Sequence, residues 1–143
     1  MARGLSHAGV LKVRYLPPFD LIKSVVTTAS VRGEQRVYLS YDSFLEIIKM
    51  FLATVDVDEH WYQRNYEDIA SVVREGKLAS GRRHFVDNGY FEGRLPFPMR
   101  VDEQWYLAQN PDVAEDVRKG AIASGQAHFD EFGYGEGRLP FPV

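Results

Sequence analysis

Residues 57–99 and 101–143 align at a constant offset of 44 without a gap, and 24 of the 43 aligned positions are identical. Val-Asp-Glu-x-Trp-Tyr opens both copies at 57–62 and 101–106. Gly-x-x-Ala-Ser-Gly-x-x-His-Phe follows at 76–85 and 120–129, and Gly-Tyr-x-Glu-Gly-Arg-Leu-Pro-Phe-Pro closes them at 89–98 and 133–142. An internal duplication of this length confines the chain to architectures that use one supersecondary unit twice. The period suits a helical repeat, in which a unit that cannot bury its apolar face alone stacks on a neighbour.

Each copy reads as three short helices and a strap. Asp58 and Asp102, each preceded by a valine, have the form of an N-cap with a hydrophobic residue before it. Asn110-Pro111-Asp112 opens a second helix, with Asn as cap and Pro at the first position. Gly76 and Gly120 end these second helices in the left-handed conformation that glycine adopts freely. Ser80 and Ser124 cap a third helix bearing His84-Phe85 and His128-Phe129, which Gly89 and Gly133 terminate. The closing Glu-Gly-Arg-Leu-Pro-Phe-Pro is extended, because proline disfavours the helical region for the residue before it.

Residues 1–56 form a different, α+β segment. Val10–Tyr15 alternates like a strand halted by Pro17-Pro18, and 36–40 is a second strand after a turn at Arg32-Gly33-Glu34. Residues 20–30 fit either a helix opened by Asp20 or a strand over Val25–Thr28. Asp42 caps a helix over 42–54 carrying Phe44, Leu45, Ile47, Ile48, Met50, Phe51 and Leu52. Seven large apolar residues in nine positions exceed a single stripe, so this helix is expected to be buried on more than one side. The fold expected is therefore mainly α with a small β element near the N-terminus, two tandem three-helix repeats (57–99 and 101–143) packing on the N-terminal part.

Composition narrows the chemistry. With no cysteine there is no disulfide, thiolate metal site or thiol nucleophile. The N-terminal residues lack the apolar stretch of a signal peptide and no run approaches the length of a membrane span, which points to a cytoplasmic chain. Residues 1–36 carry six basic and two acidic side chains, and the remainder 11 basic against 18 acidic. A basic arm on an acidic body suits docking on another copy of the chain. Its charges are too dispersed for a phosphate footprint, which argues against nucleic acid.

The second copy, read as Tyr106-Leu107, Asn110-Pro111-Asp112-Val113-Ala114, His128-Phe129, Gly133 and Glu136-Gly137-Arg138-Leu139-Pro140, resembles a short helical module of the form YLxxNPDVA…HFxxxGxxEGRxP. That module accompanies bacterial glycosyltransferases and occurs in some bacterial surface proteins. The resemblance covers 57–143 only, and the first copy departs from it at Tyr66-Glu67, where the module has Asn-Pro. It implies a bacterial, accessory, non-catalytic module near glycan or envelope assembly.

Few residues invite chemistry. Asp56-Val57-Asp58 spells a metal-binding Asp-x-Asp, but only the capping Asp58 recurs, as Asp102. His84 and His128 each have a carboxylate three residues on, Asp87 and Glu131, on one helix face. A metal site needs three or four ligands, so a packed or hydrogen-bonded imidazole fits better. Arg94 and Arg138, beside Glu92 and Glu136, could receive an anionic ligand, with Tyr90 and Tyr134 as neighbouring loop aromatics, or could tie the strap to the repeats. Trp61, Trp105, Phe85 and Phe129 are assigned to the core. No glycine-rich phosphate cradle or nucleophile elbow is present, so no cofactor and no catalytic residue is expected. The leading expectation is a non-enzymatic scaffold that self-associates through Phe44, Ile47, Ile48, Phe51 and Leu52. A glycan-binding or polysaccharide-biosynthesis accessory is the alternative, and a small metal-dependent enzyme the third reading.

Overall fold

The computed structural model describes residues 15–143. The strand expected over 10–15, except for Tyr15, lies outside the described residues, as do His7 and the basic side chains Arg3, Lys12 and Arg14. Among the described residues the chain is mainly helical, with one two-stranded antiparallel sheet near the N-terminus. The chain divides into two compact units, the first ending at Pro96 and the second running from Phe97 to Val143.

In the first unit, α1 (Phe19–Ser24) starts after Pro18 and β1 (Thr27–Val31) follows it closely. Both readings of 20–30 thus hold in sequence: β-branched residues stop a short helix and begin a strand. The turn to β2 (Glu34–Tyr38) consists of Arg32 and Gly33, with φ of 52° and 80°. Positive φ at both central residues is the geometry whose twist matches that of the flanking strands, and glycine makes it accessible at the second position.

Helix α2 (Tyr41–Leu52) is capped by Ser40, whose side chain accepts from the Ser43 N–H at 3.0 Å. Asp42, expected as the cap, lies in the first turn, where a carboxylate faces the positive helix end. The expectation of a helix buried on several sides is corrected. Leu52 alone is buried and Ile48 packs against the core, whereas Phe44 and Phe51 remain 47% and 41% exposed. The helix contributes only the side bearing 48 and 52 to the unit's core, and its flank at 44, 47 and 51 points elsewhere.

The rest of the first unit comprises α3 (Glu59–Asn65), α4 (Glu67–Arg74), α5 (Gly81–His84), a π-helical turn over Phe85–Gly89, and the strap. Asp58 and Ser80 cap α3 and α5 as the sequence predicts. The second unit carries α6 (Glu103–Gln109), α7 (Pro111–Arg118), α8 (Gly125–His128) and a π-helical turn over Phe129–Gly133, with Asp102 and Ser124 as caps. Gly76 and Gly120 have φ of 71° and 76°, the left-handed helix ends expected of them.

Each unit closes on itself. The Asp58 N–H donates to the Pro96 carbonyl at 3.0 Å, and the Asp102 N–H to the Pro140 carbonyl at 2.9 Å. The strap thereby returns to the start of its own first repeat helix. One core gathers Leu52, Tyr62, Ile69 and Phe85, and the other Tyr106, Val113 and Phe129.

Candidate interaction surface and the buried tyrosine–histidine centres

Both cores are organised around a tyrosine that sequence reasoning passed over in favour of the adjacent tryptophan. Tyr62 and Tyr106 are fully buried, while Trp61 and Trp105 are only partly so. The Tyr62 hydroxyl lies 2.9 Å from Nδ1 of His84, and the Tyr106 hydroxyl 2.9 Å from Nδ1 of His128. Phe85 and Phe129 pack edge-on against the two tyrosine rings. Burial pushes both tyrosine hydroxyls above their ordinary pKa, that of Tyr62 well above it. Burial also lowers the pKa of His84, so at neutral pH the Tyr62 hydroxyl is paired with an uncharged ring.

Gly89 and Gly133, expected as helix terminators, serve instead as space. Neither has a positive φ, and a Cβ at either position would collide with the hydroxyl of Tyr62 or Tyr106. The π-helical turn widens the helix at this point and brings the glycine backbone over the hydroxyl. The left-handed glycines come four residues later, at Gly93 and Gly137, with φ of 78° and 74°.

A second fastener was also missed. Glu59 reaches across to the start of α5, where its carboxylate accepts from the N–H groups of Gly81 at 2.6 Å and Arg82 at 3.0 Å. Glu103 does the same for Gly125 at 2.5 Å and Gln126 at 3.0 Å. Burial opposes ionisation of Glu59, yet hydrogen bonds from Gln63, Gly81 and Arg82 prevail and hold its carboxyl below the usual range. The recurrence of Glu after the capping Asp was the available signal.

The arginine forks are closed by carboxylates of their own unit. Arg94 contacts both oxygens of Asp68, at 3.0 and 2.7 Å, and bonds Glu92 at 2.8 Å. Arg138 holds Asp112 at 3.0 and 2.8 Å, Glu136 at 2.6 Å and the Asn110 side-chain oxygen at 2.7 Å. Hydrogen bonding to Arg138 lowers the Asp112 pKa to about 2. Tyr66, at the position where the second copy has Asn110, accepts from the Leu95 N–H at 2.8 Å and stacks under Arg94. The two copies therefore anchor the strap with different residues at one position. Asn110 makes no capping bond to α7 and instead donates to the Tyr106 carbonyl at 2.8 Å.

The hydrogen-bonded imidazole favoured over a histidine–carboxylate pair at three-residue spacing is what His84 shows, with tyrosine as its partner. Asp87 bonds Arg83 at 2.5 Å, and the carboxylate nearest His84 is Glu92, 3.8 Å from Nε2. Asp68 and Asp87 act on the ring from farther away. Among the described residues no three His, Asp or Glu side chains gather as a metal site would require. Of the loop aromatics, Tyr90 is exposed and packs edge-on against Phe91, while Tyr134 is half-buried over Phe129.

The N-terminal elements present a different kind of surface. Phe19 and Leu21 of α1, Val37 and Tyr38 of β2, Leu39, and Tyr41, Phe44 and Phe51 of α2 are all exposed. Every residue of β2 is exposed, as are two of the first three residues of α2. Large apolar side chains are thus exposed along much of the segment from 19 to 51. Among the described residues no helix is long and apolar enough to cross a membrane.

No family model, no curated protein and no solved structure matches this chain.

Proposed function

We propose that this chain is a non-enzymatic assembly protein that self-associates through its N-terminal apolar surface, with Phe44, Ile47 and Phe51 of α2 at its centre. The observation that carries this reading is the exposure of Phe44 and Phe51 on a helix whose neighbouring stripe, at Ile48 and Leu52, already meets the unit's core. Burying such aromatic side chains against a second copy removes apolar area from water and supplies the driving force for association. The two 43-residue copies are read as one module folded twice and held by internal fasteners, which leaves the N-terminal segment as the adhesive part.

The test is absolute mass by light scattering after size exclusion, at low and high concentration. A stable multiple of 16.3 kDa is expected. Phe44→Asp and Phe51→Asp are expected to reduce it to the monomer mass with the far-ultraviolet dichroism unchanged. A wild-type monomer at both concentrations overturns the reading.

A second reading, a glycan-binding accessory, draws support from the exposed Tyr90–Phe91 pair, whose ring centroids lie 5.4 Å apart. Saturable binding of an oligosaccharide from a broad panel, lost in Tyr90→Ala, would support it. Flat calorimetric traces across the panel would count against it.

A further inference from the structure

Strand β2 pairs with β1 on one side, and all five of its residues, Glu34–Tyr38, are exposed. The two-residue loop closes the hairpin on Val31↔Glu34, so this pair, Ala29↔Arg36 and Thr27↔Tyr38 exchange the ladder bonds inside the hairpin. The backbone N–H and C=O groups of Gln35 and Val37 are consequently directed along the opposite edge. A two-stranded hairpin is marginal by itself, and three or more strands are needed for independent stability.

Edges of this kind are normally guarded by charge. Here the two charges have opposite signs and flank a neutral residue: Glu34, Gln35, Arg36. Antiparallel pairing of β2 with β2 of a second copy, about a two-fold axis at Gln35, sets Glu34 opposite Arg36 of the other chain and Arg36 opposite its Glu34. Gln35 then exchanges both backbone bonds with its own equivalent. The charged pairs fall at the positions without ladder bonds, where facing side chains lie closest. An axis at Glu34 or Arg36 would set like charges face to face, and one at Val37 would set Glu34 opposite Ser40 and Arg36 opposite Tyr38, with no ion pair; opposite-charge pairing therefore favours the axis at Gln35. Within one chain Arg36 already bonds Glu34 at 3.1 Å, which shows that the two side chains share a face of the strand.

We infer that the edge of β2 opposite β1, which has no partner strand among the described residues, takes β2 of a second copy, in antiparallel register centred on Gln35, to form a four-stranded sheet across a two-fold axis. This rests on the self-association reading and names its geometry.

Two full-length variants test it by light scattering. Arg36→Glu makes the edge doubly negative and Glu34→Arg makes it doubly positive. Each alone is expected to lose the dimer at a concentration where the wild type is paired, and an equimolar mixture is expected to regain it as a heterodimer. Gln35→Pro removes the central outward N–H without touching the ladder inside the hairpin, and is expected to lose the dimer whatever the charges. A wild type that is dimeric and sensitive to Phe51→Asp but indifferent to all three edge variants overturns the inference and leaves self-association standing. A mixture that stays monomeric also overturns it. A monomeric wild type overturns both.

Discussion

The Tyr62 hydroxyl and Nδ1 of His84 meet at 2.9 Å inside a core that excludes water, and Tyr106 and His128 repeat the contact at the same distance. A buried acceptor that loses its donor suffers the full desolvation penalty, whereas replacing both partners by apolar groups is nearly neutral. Tyr62→Phe is therefore expected to cost about 1–3 kcal/mol, and Tyr62→Phe with His84→Leu less than the single change. Urea unfolding of the four members of the cycle measures this. Additive costs would show that the contact is not energetically coupled.

Gly89 and Gly93 are expected to respond to alanine for different reasons. Gly89→Ala drives a methyl group into the Tyr62 hydroxyl and should cost about 1–3 kcal/mol as overpacking. Gly93 has open space around its Cα but a φ of 78°, so Gly93→Ala meets backbone strain alone. Adding Tyr62→Phe should recover part of the loss in Gly89→Ala and none in Gly93→Ala. Thermal melts of the paired variants decide between space and strain.

Glu59 and Glu103 satisfy two orphan N–H groups each at the starts of α5 and α8. Glu59→Ala and Glu103→Ala are expected to destabilise by about 0.5–2 kcal/mol, the range for a lost helix cap. Glu59→Gln keeps one acceptor oxygen and should cost less. Hydrogen exchange at the amides of Gly81 and Arg82 should accelerate in Glu59→Ala. Unchanged exchange there would deny the carboxylate its capping role.

Stability should fall in two stages on acidification. Burial lowers the His84 pKa below 6.5, so between those values the unfolded chain binds more protons than the folded one. The contribution is present above pH 6.5 and is lost as the pH falls through the folded value. Asp68, bonded by Arg94, Glu59, bonded by backbone N–H groups, and Asp112, held at about 2, titrate lower and extend the loss into the carboxylate range. Chemical denaturation at pH 7.5 and 5.5 should show the first stage in the wild type and not in His84→Gln. Equal stability of the wild type at the two values would remove His84 from the account.

Features that depend on neighbours along the chain were legible in the sequence. Asp58, Ser80, Asp102 and Ser124 each accept from an N–H three residues ahead, and Gly76 and Gly120 end helices where the pattern stops. Such bonds require only local geometry, so residue type and spacing define them. The mainly α architecture with a small N-terminal sheet followed from the same local signals.

What joins residues about 20 or more positions apart was decided by tertiary structure. His84 is 22 residues beyond Tyr62, Gly81 is 22 beyond Glu59, and Arg94 is 26 beyond Asp68. The duplication marked every one of these residues except Tyr66 and Asn110, which differ between copies while anchoring the same strap. Recurrence told which positions matter without telling what each touches, because a side chain's partner depends on how the helices cross. The same limit applied to α2. Seven apolar residues announced a helix that seeks burial, but only packing determined that Ile48 and Leu52 would face the core and Phe44 and Phe51 the outside.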